Sequence, residues 1–398
     1  MIAALRRTVM PLRLPAASRP DAVGWPVLLL FVFALPLSIA VSQILLTVLA
    51  GVWLAARADG AERSPAPAFF TPLLAYAAWT VAVSVPFSLA PATSLVESRE
   101  VLLFLVAPIV LAFARGERAR TVVTVALAAG AVNAVAGIVQ YGILQYDNLG
   151  QRPSGSMGHY MTYAGLLMLM LCAALSRLLF DARDRAGALV VLPALSVALV
   201  VTLTRSAWIG AAAAGGLLLV LRDRRLLALA PVAAVVFLAV APAQVTDRLY
   251  STFDLRDPTN RDRLAMLTAG AGMVRDHPLT GIGPGLVEEV YADYRPANAV
   301  NETNPHLHNV PLQIAAERGL PALALWVWFV AAAARDLVRR LRDPASRTLA
   351  AGALAAMAAM LAAGLFEYNF GDSEFLMLLL VLVTLPASAA AGPAPRIA

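Results

Sequence analysis

About twelve apolar runs follow one another along this 398-residue chain, and a single long polar stretch interrupts them. A helix that crosses a bilayer takes about 20 apolar residues, somewhat fewer where hairpins are tight. The runs fall at residues 24–39, 41–56, 69–90, 101–114, 122–144, 160–180, 188–202, 207–221 and 226–241, and after the polar stretch at 310–334, 349–366 and 375–389. Hydrophobic residues make up 60% of the chain and charged residues 14%. A soluble domain is only about half apolar and carries about a quarter charged residues. The pattern predicts an all-α fold, a polytopic membrane bundle of about 12 transmembrane helices. Helices 1–9 are expected in residues 1–242, a large external loop with short helices at 243–309, and helices 10–12 in 310–398. The one cysteine, Cys172, lies inside an apolar run, which excludes an intramolecular disulfide and any cysteine-based zinc site.

Charge sorts the gaps between the runs. The 31 basic residues are all arginine, and the net charge is +6. They sit mostly in short gaps, which fits membrane topology better than a nucleic-acid-binding face. With the N-terminus inside, the inner gaps hold Arg57, Arg63, Arg115, Arg118, Arg120, Arg177, Arg183, Arg185, Arg222, Arg224, Arg225, Arg335, Arg339, Arg340, Arg342 and Arg347. Arg6, Arg7, Arg13 and Arg19 add to them in an N-terminal tail that reads as a tail, not as a removable leader. The short outer gaps hold only Arg99, Arg152 and Arg205. This asymmetry predicts both termini in the cytoplasm and the long loop outside.

The outer polar groups are therefore the ones that topology does not explain. Arg205 lies in LTRSAWIG, in a gap of a few residues between two runs, where it either snorkels to headgroups or lines a cavity and grips phosphate. Arg152 and His159 lie in RPSGSMGHYMTYAG, whose glycines and serines predict a flexible re-entry loop. Residues 261–276 place Leu264, Leu267, Ala271 and Val274 on one helical stripe, with Arg261 and Arg263 at the first turn. That helix either lies on the membrane or binds an anion through its arginines. The glycines of HPLTGIGPG follow no strand, so a tight turn is the reading and not a dinucleotide loop. In NETNPHLHNV, His308 sits at the mouth of an apolar run, placed to act as a general base or to be a water-satisfied interface histidine. A metal site from His306, His308 and Glu302 is disfavoured, because residues two apart on a helix face different ways. Asp372 and Glu374 either neutralise an arginine or cap the last helix.

His308-Asn309, then nine residues and Gly319, is similar to a pattern of the O-antigen ligase and O-antigen polymerase superfamily of bacterial membrane glycosyltransferases. The family pattern ends Gly-x-x-Gly, and this chain has Ala322 in the last place. LTRSAWIG, GHYMTYAG and RDRLAMLTAGAGMVRDHPLTGIGPG resemble further family blocks, with Leu267 near a usual tryptophan. The resemblance covers most of the chain.

It implies about twelve helices and a periplasmic loop that helps close a cavity. It also implies a reaction at the periplasmic face of the bacterial inner membrane, without metal or nucleotide cofactor. A glycan on undecaprenyl pyrophosphate passes to an acceptor hydroxyl, a lipid A–core sugar in a ligase. Arg205 and Arg263, or Arg261, would hold the pyrophosphate and His308 would activate the acceptor, with Arg152, His159, His306, Asn309, Asp372 and Glu374 as accessory candidates. Membrane lipids are the other expected partners, and nucleic acid is not one. Within the superfamily the alternatives are a polymerase of O-antigen or exopolysaccharide and a protein O-glycosyltransferase. From another class, a transporter or flippase fits the helix number but lacks a mid-bilayer acidic residue and a visible repeat.

Overall fold

The computed structural model describes residues 19–58, 65–254 and 256–391. Arg6, Arg7, Arg13 and Arg63 lie outside the described residues. Among the described residues the elements are helical, without a strand. The first half runs α1 (Arg19–Ala34), α2 (Ile39–Ala58), α3 (Phe70–Trp79), α4 (Pro91–Glu97), α5 (Val106–Phe113), α6 (Arg118–Gly142), α7 (Tyr160–Phe180) and α8 (Arg185–Val201). The second half runs α9 (Arg205–Asp223), α10 (Ala230–Val240), α11 (Ala243–Tyr250), α12 (Pro258–Asp276), α13 (Val287–Tyr294), α14 (Val310–Arg340), α15 (Arg347–Ala363) and α16 (Ser373–Ala390).

Each apolar run of the sequence contains helix. Among the described residues five helices are long and apolar enough to cross a membrane, namely α2, α6, α7, α14 and α16. Four shorter apolar helices accompany them, at Pro20–Ala34, Phe70–Ser84, Arg185–Val201 and Arg347–Ala363. The run at 101–114 is divided, with a 3-10 stretch over Ser98–Leu105 ahead of the short α5.

A helix apolar on every side belongs inside a bundle. α7 and α16 behave so: about four-fifths of each is buried, and they form the centre with α15, which is lined by alanine and packs closely on α7 and α9. α2 lies at the rim with Ile44, Val48 and Leu54 exposed, a face suited to lipid. At the end of α7 away from its N-terminus, Arg120 pairs with Asp181 at 2.5 Å and with Asp184 at 3.0 Å, and Arg177 donates to the Arg120 carbonyl at 2.6 Å. At α6's start Arg118 pairs with Asp21 at 2.6 Å.

The polar stretch 243–309 is not a loose loop. α12, α13 and the turn between them carry a second core in which Met266, Ala269, Met273, Ile282, Leu286, Val287 and Tyr291 meet Leu307 and Ala316. The stripe expected on α12 is the outer one: Leu264 and Leu267 are exposed, while Ala265, Met266, Ala269 and Met273 turn inward.

The longest helix, α14, is broken. Gly319 has φ 82° and ψ 166°, and Pro321 follows two residues later. The left-handed glycine ends one helix and the proline opens the next, having no N–H to give back to the Glu317 carbonyl. The carbonyls freed by the break find other donors. Ile282 N–H donates to Ala316 at 2.8 Å and Gly283 N–H to Glu317 at 3.0 Å. Trp79 Nε1 and Ser84 Oγ both donate to the Arg318 carbonyl at 3.1 Å, and Leu320 N–H reaches the Pro278 carbonyl at 2.8 Å. The turn HPLTGIGPG is therefore a strap across the break. Gly281 lies against it so closely that a Cβ would stand 2.2 Å from the Glu317 carbonyl carbon.

Gly319→Ala would force an L residue into the left-handed region with its Cβ 2.1 Å from the Leu279 oxygen. It is expected to cost about 2 kcal/mol or more, read as a lower thermal transition and yield of detergent-purified protein than for Ala322→Gly.

Candidate active site

Asn309 opens α14. Its side chain accepts from Leu312 N–H at 2.9 Å, an N-cap, and its amide donates to the Leu365 carbonyl at 3.1 Å. The residue before it, His308, is held at φ 48°, a left-handed conformation that a non-glycine residue takes only where its surroundings impose it. Those surroundings are specific. Gln313 accepts from Leu307 N–H at 2.6 Å, and Asp262 on α12 holds the loop through Asn301 at 2.8 Å and Asn304 at 3.4 Å.

So aimed, His308 Nδ1 lies 3.0 Å from Glu367 Oε2, in the turn between α15 and α16. Glu367 is 59 residues away in sequence, which is why the local pattern around His308 did not reveal it. Burial alone would raise the Glu367 carboxyl, but the His308 hydrogen bond, the two histidines and Arg263 outweigh it and hold it below the usual range. A charged carboxylate here fixes a proton on Nδ1 and leaves Nε2 with a free lone pair.

His306 lies edge-on to His308, with ring centroids 4.1 Å apart, and its Nε2 is 3.9 Å from Glu367 Oε1. The helical argument that set the two rings apart does not apply, because both precede α14. Burial, then the neighbouring His308, push His306 down to about 4, so it is neutral. Glu302 is exposed and is not part of this group.

Arginines gather beside the dyad. Arg205, the first residue of α9, is buried and donates to Ser251 Oγ at 3.1 Å and Asn260 Oδ1 at 3.0 Å. It shares Asp257 with Arg248, at 3.7 Å and 3.8 Å. Asp257 is also the N-cap of α12, accepting from Thr259 and Asn260 N–H. Burial, then the charges of Arg248 and Arg263, lower Arg205 to about 10, with Asp257 opposing. Arg263 sits over the Phe366 ring at 6.0 Å, and its Nε is buried without a partner. Arg152 covers Tyr160 at 4.1 Å and feels the charges of Arg248 and Arg263. Arg205, Arg248 and Arg263 thus share two carboxylates, Asp257 and Glu367, and Arg152 adds a further positive charge to the group. Such an excess of cations favours an anionic ligand. Arg261, by contrast, is exposed.

Of the residues singled out in the sequence, Arg152, Arg205, Arg263, His306 and His308 meet here. His159 lines a cavity of about 200 Å³ together with His306, Glu367, Thr204 and Asp372. The loop before His159 is pinned, not flexible: Gln140 accepts from Ser154 N–H at 2.9 Å and Gly155 N–H at 2.8 Å, and Asn133 accepts from Ser156 N–H at 2.9 Å. Asp372 caps α16 through Phe375 N–H at 3.0 Å and bonds Thr162, and Glu374 accepts from Ser373 at 2.8 Å; both are structural at these contacts. Sequence reasoning missed Glu367, Arg248 and the buried pair Glu317–Arg318, 2.5 Å apart, behind the site. An outer-gap carboxylate in FEYNFGDSE was the one available signal for Glu367.

Asp257 lies below its ordinary range because Arg205 and its cap hydrogen bonds outweigh burial. Its stabilisation is present above the unfolded carboxyl value of about 3.9 and is lost as pH falls through the lower folded value. Wild type should therefore lose thermal stability below about pH 4, and Asp257→Asn, which keeps a capping oxygen, should lose less across that window in melts of purified protein.

Residues 188–327, which span α8 to the middle of α14, match the family described as O-antigen ligase. No curated protein matches the chain.

Proposed function

We propose that the chain, whose residues 188–327 match the O-antigen ligase family, is a member of that superfamily and transfers a lipid-linked glycan to an acceptor hydroxyl. The observation that carries the reading is the His308–Glu367 pair, 3.0 Å apart, beside an arginine cluster that lacks enough counter-charge. The donor is a glycan on undecaprenyl pyrophosphate, and the acceptor is a lipid A–core sugar. About twelve spans, with both termini cytoplasmic, would set residues 243–309 and the site on the periplasmic side of the inner membrane, as the arginine asymmetry argues.

The chemistry follows from the geometry. Glu367 keeps the proton of His308 on Nδ1, so Nε2 takes the proton of the acceptor hydroxyl. The hydroxyl oxygen bonds to the anomeric carbon as the bond from that carbon to the pyrophosphate oxygen breaks. The electron pair leaves on the lipid pyrophosphate. Arg205 and Arg263, with Arg248 and Arg152, neutralise that charge in a partly dry site. No metal is required by these steps, since the arginines supply the charge that a cation would.

His308→Ala is expected to lower transfer about 100-fold or more, and Glu367→Gln to fall in the same direction, with folding intact. The measurement is the lipopolysaccharide ladder of a ligase-null host. Wild type restoring long chains, with His308→Ala accumulating lipid-linked glycan, carries the ligase reading. Restored polymer length or protein glycosylation in their place would move the chain to the polymerase or protein-glycosylating branch, and normal transfer by His308→Ala would remove the base.

Arg205→Lys keeps the charge but loses the planar fork that spans Ser251 and Asn260. It is expected to lower transfer roughly 100-fold. Wild-type activity in that variant would make Arg205 an anchor only.

A further inference from the structure

The same three groups that form the proposed base make a second kind of site. His306 Nε2, His308 Nδ1 and Glu367 each offer a ligand atom, and these atoms lie within 4.8 Å of one another. A tetrahedral zinc site with bonds of about 2.0–2.2 Å spaces its ligand atoms about 3.3 Å apart. The observed separations bracket that: 3.0 Å from His308 Nδ1 to Glu367 Oε2, and 3.9 Å from His306 Nε2 to Glu367 Oε1. The three residues come from two rigid supports, the capped start of α14 and the turn between α15 and α16, so little has to move. A second observation points the same way. His306 Nδ1 is buried without a hydrogen-bond partner, so nothing in the protein fixes which ring nitrogen carries its proton. Nε2 is thereby free to be the ligand nitrogen. His306 and Glu367 also line the cavity of about 200 Å³, through which an ion can reach them.

We propose that His306, His308 and Glu367 bind a divalent transition metal such as Zn²⁺, and that the bound ion shuts the proposed transfer off. The inhibition rests on the transfer reading, whereas the binding stands alone. The reason is the histidine tautomer. A metal on His308 Nδ1 needs that nitrogen's lone pair, so the ring proton moves from Nδ1 to Nε2, with no net proton released. Nε2–H is a donor and takes no proton from a hydroxyl. At the same time Glu367 exchanges its hydrogen bond to His308 for a bond to the metal. The ion thus occupies the base, and Glu367, which it binds, also faces Arg263 of the arginine cluster.

The test is calorimetric titration of zinc chloride into purified full-length wild type, His306→Gln and His277→Gln, beside a transfer assay with zinc and then with EDTA. His277 ends α12, is not one of the three grouped residues, and serves as the control for adventitious histidine binding. The expected result is one zinc per wild-type chain. Affinity falls at least about tenfold in His306→Gln and is unchanged in His277→Gln. Zinc stops wild-type transfer, EDTA restores it, and His306→Gln needs about tenfold more zinc to lose half of its own zinc-free rate. Absence of zinc binding by wild type overturns the site without reference to any variant. Binding that His306→Gln leaves intact, or that His277→Gln removes, overturns the ligand set. Loss of activity when EDTA is added to zinc-free wild type overturns the inhibitory role. If no transfer is found in any assay, the calorimetry still decides the metal site.

Discussion

The break in α14 is the constraint on which the site depends. A helix that ran straight through Gly319 would return its carbonyls to its own N–H groups and withdraw these acceptors from the strap 278–285. Instead Gly319 and Pro321 free the carbonyls of residues 316–318, and the strap, Trp79 and Ser84 supply the donors. An unpaired carbonyl in a buried position costs about 1–3 kcal/mol, so these bonds hold the polar segment to the bundle. The buried Glu317 joins the two systems: it accepts from Gly285 N–H in the strap and from Gln313, and Gln313 in turn holds Leu307 beside His308. The backbone strain at His308 is thus sustained from behind the site.

Electrostatics then gives the site its character. At the other end of the bundle the arginines described are matched, Arg120 by Asp181 and Asp184, Arg118 by Asp21. Around α12 they are not. Two carboxylates serve Arg205, Arg248 and Arg263, Arg152 stands beside them, and each of these four guanidiniums lies below its ordinary range, with burial as the first cause. A buried cation cluster of this kind is tolerated where a ligand completes it. The dyad meets the cluster at a single point, where Arg263 faces Glu367. One carboxylate therefore both orients the histidine and touches the anion site, and it also lies within reach of a metal.

Much of this was legible in the sequence. Each apolar run contains helix, Asn309 is a cap where a polar residue precedes an apolar run, and Arg152 and Arg205 lie in one arginine cluster with Arg248 and Arg263. Other readings changed. The loop before His159, expected to be flexible, is held by Gln140 and Asn133. The run 310–334 is two helices, although Gly319 and Pro321 carry the stop-and-restart signal two residues apart.

By itself, the sequence determined the helical membrane-type architecture, the sorting of charge and the residue types available for chemistry. These depend on composition and on spacings of a few residues, which a linear reading captures. Tertiary structure decided the partners: Glu367 for His308, Asp257 and Asn260 for Arg205, and the strap for the broken helix. Each joins segments dozens of residues apart, and a hydrogen bond near 3 Å depends on how the helices between them pack, which no local pattern encodes.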